Sequence, residues 1–324
     1  MLHSLFADFD TPGVPGASAL LLVDGAPRFA VAYGLADLAA GTPATLATCY
    51  RLASVSKQFT AYAAMLLAER GVLHVDDPLA RFFDGAPALW HDITIHMLLT
   101  HTSGLLDYED LIAPAVTAQL STDDVRALVI GRDEGHFAPG SVFRYSNTAY
   151  CLLALVVERV AAQPFSAFLH DAIFAPLGMR TAVAHVEGVT VVANRAYGHS
   201  SAPGGYIRTD QSLTSATLGD GGIYASVEDL ARWDAELAAP RLVSATTLAR
   251  IHAPAVALPD GSGHYGYGWY LTQRNGERAA YHTGETIGFR AAIVRLLDRR
   301  RTAIVLTNRD EATPIEIAWR LVED

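Results

Sequence analysis

The sequence predicts an α/β (α+β) fold: an antiparallel sheet flanked by helices and built from both chain ends, with a mostly helical domain inserted between them. Three observations carry this expectation. Strand-like segments joined by tight turns open the chain, at 17–25 and 28–34. Four more close it, at 266–273, 278–284, 288–297 and 301–308. From about 76 to 263 strand patterns are few, and apolar helical stretches alternate with Gly/Pro-rich loops.

Taken in order, "MLHSLFADFDTPG" reads as a short amphipathic helix; it has no basic n-region followed by a long apolar run. "ASALLLVDG" and "RFAVAYG" read as a hairpin. "AYAAMLLA", 61–68, is apolar almost all round, the mark of a buried helix. "NTAYCLLALVVERVAA", 147–162, is another helix. "SVEDLARWDAELA", 226–238, opens on Ser226 with Asp229 three residues later, close to a capping box. Turns are expected at Asn275-Gly276 and Asp298-Arg299. A last helix, 313–323, starts at Thr313-Pro314, with proline in the first helical position. The expected organisation is therefore 1–75 plus 264–324 as the sheet domain and 76–263 as the helical insertion, with the active site in the cleft between them.

Composition narrows the function. At 324 residues and 51% hydrophobic, the chain can bury one large core or two entwined ones. A formal charge of −10 argues against a nucleic-acid partner, which calls for a basic stripe. Arg299-Arg300-Arg301 reads as a solvated turn. Cys49 and Cys151 form no CxxC pair, and the twelve histidines show no HExxH spacing, so no metal site is expected. No apolar run has the length of a membrane span. The expected location is cytoplasmic for the sequence as given, or periplasmic if a leader has been removed.

The cations hold one anomaly: 23 arginines and a single lysine, Lys57, three residues after Ser54 at a predicted helix start. Arginine stays protonated at any working pH; lysine can act as a base if its pKa falls. Positions i and i+3 share a helix face, so this amine can reach the Ser54 hydroxyl as base to nucleophile. Read alone, S-x-x-K also fits an N-cap serine followed by a surface lysine. Tyr145 and Asn147 precede the helix at 147, where they can supply a phenol for proton transfer and an amide for orientation; Ser146 or Asn147 as a plain helix cap fits equally. In "YHTGETIGF", 281–289, Gly284 and Gly288 would let a ligand backbone approach closely.

Together, Ser54-x-x-Lys57, Tyr145-x-Asn147 and His282-Thr283-Gly284 resemble, in order, the three active-site motifs of the serine β-lactamase and penicillin-binding protein superfamily. The class C β-lactamase-like branch is the closest match, and "LLTHTSGL" (98–105), "GDGGIYASVEDLARW" (219–233) and "GYGW" (266–269) agree with it. The resemblance covers about residues 13–310 and implies a β-lactamase/transpeptidase-like fold. It implies that Ser54 is acylated, that Lys57 takes or shuttles its proton, and that Tyr145 protonates the leaving group and helps activate water. Asn147, His282, Thr283 and Gly284 would bind substrate, with Asn147 also able to hold Lys57. The backbone N–H groups of Ser54 and Glu285 would form the oxyanion hole. No metal or organic cofactor is implied.

His282 stands where true β-lactamases usually carry lysine, and Glu285 adds negative charge beside the oxyanion hole. The expectation is thus a serine hydrolase on small ester or amide substrates, first an esterase on small, largely uncharged carboxylic esters. A D-amino-acid peptidase or amidase, and a β-lactamase or DD-carboxypeptidase, are the alternatives. A low-turnover penicillin-binding or interaction protein is the alternative of another class. The loops at 105–120 and 196–220 are expected to set pocket width, and His101, Asp107 and Trp269 to line the cleft.

Overall fold

A computed structural model describes residues 2–324. The main sheet is antiparallel and eight-stranded. Its first hairpin pairs β1 (Ala17–Val23) with β2 (Ala26–Tyr33) across Asp24 and Gly25, both at positive φ (51° and 77°), as a two-residue type I′ turn requires. The other six strands are β3 (Val256–Ala257), β4 (His264–Tyr265), β5 (Tyr270–Arg274), β6 (Glu277–Thr286), β7 (Phe289–Leu296) and β8 (Arg301–Thr307). The spatial order is β3-β4-β5-β6-β7-β8-β1-β2, so both chain ends meet at the β8–β1 ladder.

Alternation along the strands divides the core in two. Leu20, Leu22, Ile293, Ile304 and Leu306 face a large core shared with the helices that precede β3. Ala19, Leu21, Val294, Ala303 and Val305 face the opposite layer, which holds Phe6 and the C-terminal helix. Five helices organise these layers: α1 (Lys57–Glu69), α2 (Thr122–Ile130), α3 (Asn147–Ala161), α4 (Val227–Ala238) and α5 (Pro314–Glu323). Every residue of α1 from Lys57 to Leu67 is buried, consistent with its all-round apolar sequence. The Ser226–Asp229 capping box is complete.

Several segments depart from expectation. The short helix expected at the N-terminus is present over Leu2–Phe6 with Phe6 buried, but it is a 3-10 helix of five residues. The strand expected from 266 begins at Tyr270, because Gly268 turns at φ 77° to fit against α1; a Cβ there would lie 2.9 Å from the Lys57 carbonyl oxygen. The central region holds short strands: Ile223–Ala225 pairs with Tyr50–Arg51 on one side and Val183–Ala184 on the other, and His199–Ala202 pairs with Gly205–Arg208. The boundary expected at 263 also shifts. Helix α4 lies on the sheet, where Asp234 accepts from Arg295 Nε of β7 and Thr302 Oγ1 of β8, each at 2.8 Å. The chain thus rejoins the sheet layer by residue 227.

One buried side chain ties the chain ends to the middle. Asn308 is fully buried; its Oδ1 accepts the Gly16 N–H at 2.7 Å, and its Nδ2 donates towards the carbonyls of Leu35 and Ala36 at 3.1 Å and of Tyr197 at 2.8 Å. Alanine at this position would remove all of these bonds and leave only the weaker backbone net, in which Gly16 N–H donates to the Leu35 carbonyl and Tyr197 N–H to the Ala36 carbonyl, each at 2.9 Å. Asn308→Ala is expected to cost about 2 kcal/mol or more of unfolding free energy, read as a lower urea midpoint. An unchanged midpoint would show that the backbone bonds left among these groups suffice.

Candidate active site

The site forms where α1, α3, β6 and two loops converge. Ser54 lies in the 3-10 turn Ala53–Ser56 that leads into α1, and Lys57 is the first residue of that helix. Ala53, just before the serine, is held at φ 46°, a conformation costly for a residue with a Cβ. The close seat of β6 explains how it persists. A Cβ on Gly284 would lie 2.0 Å from the Leu52 carbonyl oxygen and 3.3 Å from the Ala53 Cβ. The expectation for the two glycines of 281–289 is corrected here: the backbone they admit is the protein's own. Gly284 admits Leu52, and Gly288 admits Gly198, whose Cα would be 2.6 Å from an added Cβ.

Lys57 has no exposed surface, and its Nζ lies 3.1 Å from Ser54 Oγ, 2.8 Å from Asn147 Oδ1 and 2.8 Å from the Asp220 carbonyl oxygen. The last two can only accept. A neutral amine has two N–H bonds and one lone pair, so it can donate to both and keep the lone pair for the Ser54 O–H. Burial lowers the Lys57 pKa to about 8, against the opposing charges of Asp220 and Glu109 and the Cys151 thiol. Tyr145 completes the group. Its ring centroid is 4.8 Å from Nζ, and burial raises the phenol's pKa well above its ordinary value, opposed by a hydrogen bond with Ser54.

Two acidic residues that were not singled out in the sequence belong to this site. Glu109, in the 3-10 turn Tyr108–Leu111, accepts from Asn147 Nδ2 at 2.7 Å, which turns the amide oxygen towards Lys57. Burial pushes its carboxyl up, opposed by the Asn147 bond. Asp220 offers its backbone to Lys57, while its Oδ1 is buried without a hydrogen-bond partner among the described residues. Asp220 does stand inside the quoted "GDGG" stretch. Nothing in "LLDYEDL" distinguishes Glu109 from Asp107 or Asp110.

A pocket of about 80 Å³ opens at Ser54, walled by Glu109, Asn147, Asp220, Glu285 and Thr286 among others. The loops at 105–120 and 196–220 do reach it, through Tyr108 and Glu109 and through Thr214 and Thr217. Ser54 and Glu285, whose amides were expected to form the oxyanion hole, both line it. Beyond Tyr281, β6 pairs only with β7, so its other edge is open from His282 to Thr286. The Glu285 carboxylate is mostly exposed and lies 3.8 Å from Arg290 Nε.

His282 and Thr283 do not present their side chains to this pocket. The His282 ring is 1% exposed; Nδ1–H donates to the Thr283 carbonyl at 2.6 Å, and Nε2 accepts from the Tyr265 hydroxyl at 3.1 Å. Burial and the nearby Lys57 charge lower its pKa to about 3, so it is a neutral imidazole with both nitrogens engaged. Thr283 lines a separate cavity with Pro314 and Ile315. The three residues expected along the cleft wall lie behind it. Trp269 and His101 are fully buried, and Asp107 is taken up by Arg144 at 2.6 Å and His136 at 3.4 Å.

Known proteins resemble this chain throughout. A family model described as Beta-lactamase matches residues 2–324. Penicillin-binding protein 4* of Bacillus subtilis is 31% identical over 88% of this chain and 66% of its own length. A D-aminopeptidase of Brucella anthropi is 29% identical over 95% of this chain and 58% of its own. The chain thus spans about three-fifths of the length of these curated relatives. The crystal structure of a penicillin-binding protein from Bacillus halodurans superimposes with a TM-score of 0.86 at 28% identity, covering 99% of this chain and 98% of that one. With this match over its whole described length, and with the Lys57 amine beside both the Ser54 hydroxyl and the Tyr145 ring, the chain belongs to the beta-lactamase family.

Proposed function

We propose that the protein hydrolyses amides and esters of small acyl groups that carry a free amino group, with the D configuration, through an acyl-enzyme on Ser54. The observation that carries this proposal is the Glu109 carboxylate, fixed by Asn147 in the same pocket as Ser54 and accompanied there by Asp220 and Glu285. A substrate ammonium beside the scissile carbonyl would meet acceptor oxygens in a partly buried site, where such pairs are strong. Arg51 also lines the pocket, but its Nη2 is committed to the Ser215 carbonyl at 2.6 Å. His282 has no nitrogen free for a β-lactam carboxylate. The configuration rests on similarity to the D-aminopeptidase. Neutral esters, the first expectation from sequence, would follow the same covalent route without using the acidic wall.

In this mechanism neutral Lys57 takes the Ser54 proton as Oγ attacks the carbonyl carbon. The backbone amides of Ser54 and Glu285 receive the developing oxyanion. Tyr145 delivers a proton to the leaving amine or alcohol as the bond to it breaks, and Lys57 passes the proton it took from Ser54 on to the phenolate, restoring both groups. Water then attacks the acyl-enzyme, losing its proton to the same groups, and Ser54 regains its hydrogen.

Three measurements test the proposal. Glu109→Gln keeps an acceptor for Asn147 and removes the charge. It is expected to lower kcat/KM for D-alaninamide about 10-fold or more while changing p-nitrophenyl acetate hydrolysis little. Equal losses on both substrates would remove Glu109 from ammonium recognition. Lys57→Arg keeps the cation but cannot lose its proton, and is expected to lose about 100-fold or more; near-normal activity would make Lys57 a charge only. The pH profile follows from the pKa of about 8. The base works when neutral, a state reached by about one lysine in ten at pH 7, against roughly one in 2,500 for an unperturbed amine. On p-nitrophenyl acetate, which has no titrating amine, kcat/KM should therefore rise about tenfold per unit up to pH ~8 and then level. A flat profile from pH 6 to 9 would contradict the assignment.

A further inference from the structure

His101 lies outside the serine–lysine–tyrosine group, yet it holds the chain on both sides of Tyr145. Its carbonyl oxygen accepts the Arg144 N–H at 2.9 Å, and its ring Nδ1 accepts the Ser146 N–H at 3.0 Å. Its ring lies against the Tyr145 ring, with centroids 4.3 Å apart and planes 31° from parallel. The rings of Tyr150 and Tyr265 pack on it at 4.9 and 4.7 Å. One side chain thus supplies an acceptor to the backbone after the tyrosine and a face to its phenol.

The arrangement is kept at a cost. His101 sits at φ 58°, a left-handed conformation worth about 1–2 kcal/mol of strain for a residue with a Cβ. It is fully buried, and Nε2 has no hydrogen-bond partner among the described residues. Because Nδ1 accepts a backbone N–H, the ring hydrogen is on Nε2 and the imidazole is neutral. Burial, with the Lys57 charge nearby, holds its pKa well below the ordinary value, so the acceptor at Nδ1 survives across the working range.

We propose that His101 is a positioning residue for Tyr145, whose ring and Nδ1 acceptor together set the phenol hydroxyl at Ser54 for proton delivery to the leaving group. This rests on the acyl-enzyme assignment above. The chemistry supplies a readout that a merely structural role would not move. An amide nitrogen must be protonated to leave, whereas p-nitrophenolate leaves without a proton. Misplacing the phenol should therefore penalise amides selectively.

His101→Asn keeps an acceptor near the Nδ1 position and tolerates the left-handed backbone, but loses the ring. His101→Phe keeps a ring face and loses the acceptor. With rates counted per Ser54 site labelled by a fluorophosphonate, both variants should lose about 100-fold in kcat/KM on D-alaninamide and less than about 10-fold on p-nitrophenyl acetate. Tyr145→Phe should show the same split. Adding His101→Asn to Tyr145→Phe should cost little more, because the two residues act as one unit. If both single His101 variants lose the two activities in parallel, or lose neither, while Tyr145→Phe shows the split, His101 does not position the phenol. If Tyr145→Phe itself shows no split, the proton-delivery role of Tyr145 fails, and the proposal for His101 falls with it.

Discussion

The Lys57 amine is buried, and three groups, two of them from distant parts of the chain, hold it there. Ser54 comes from its own first turn, Asn147 from a helix 90 residues on, and the Asp220 carbonyl from a loop 163 residues on. A buried ammonium without such partners would cost several kcal/mol. The rest of the architecture supplies them. Strand β6 presses Gly284 against Leu52 and sets the serine turn, Glu109 orients the Asn147 amide, and the Gly219–Gly222 loop brings the Asp220 carbonyl over the amine. Burial and hydrogen bonding oppose one another at this nitrogen, and the balance leaves it able to lose its proton near neutral pH.

This constraint also explains why the pocket is acidic. Glu109 and Asp220 stand close enough to Lys57 to favour its charged form, so the carboxylates partly offset the desolvation that makes it a base. Glu109 and Asp220 also line the pocket at Ser54. Where a β-lactamase carries a third-motif lysine, this chain has a neutral imidazole turned inward onto Tyr265. The electrostatics of the site are thus suited to an incoming cation.

What was legible in the sequence is local. Asp24-Gly25 and Asn275-Gly276 carry the residues that two-residue hairpins demand, Ser226 and Asp229 form their capping box, and Ser54 and Lys57 meet because they are three residues apart at a helix start. Non-local packing was not legible. Glu109 is one of three acids in five residues, and only the Tyr108–Leu111 turn brings it to Asn147. The glycines of 281–289 show a need for close approach without showing what approaches. Helix α4 falls within the stretch expected as the insertion, yet its Asp234 finds Arg295 on the sheet. The histidines were legible as motif members, while their burial and partners depend on aromatic packing that no short pattern encodes.

The central claim is that burial tunes Lys57 to serve as a base, and the composition allows a direct test. Because the chain contains one lysine, labelling with 13Cε-lysine yields a single side-chain resonance. Its NMR titration in the free enzyme should show a midpoint near 8. A midpoint at about 10 or above, the range of an exposed amine, would contradict the account.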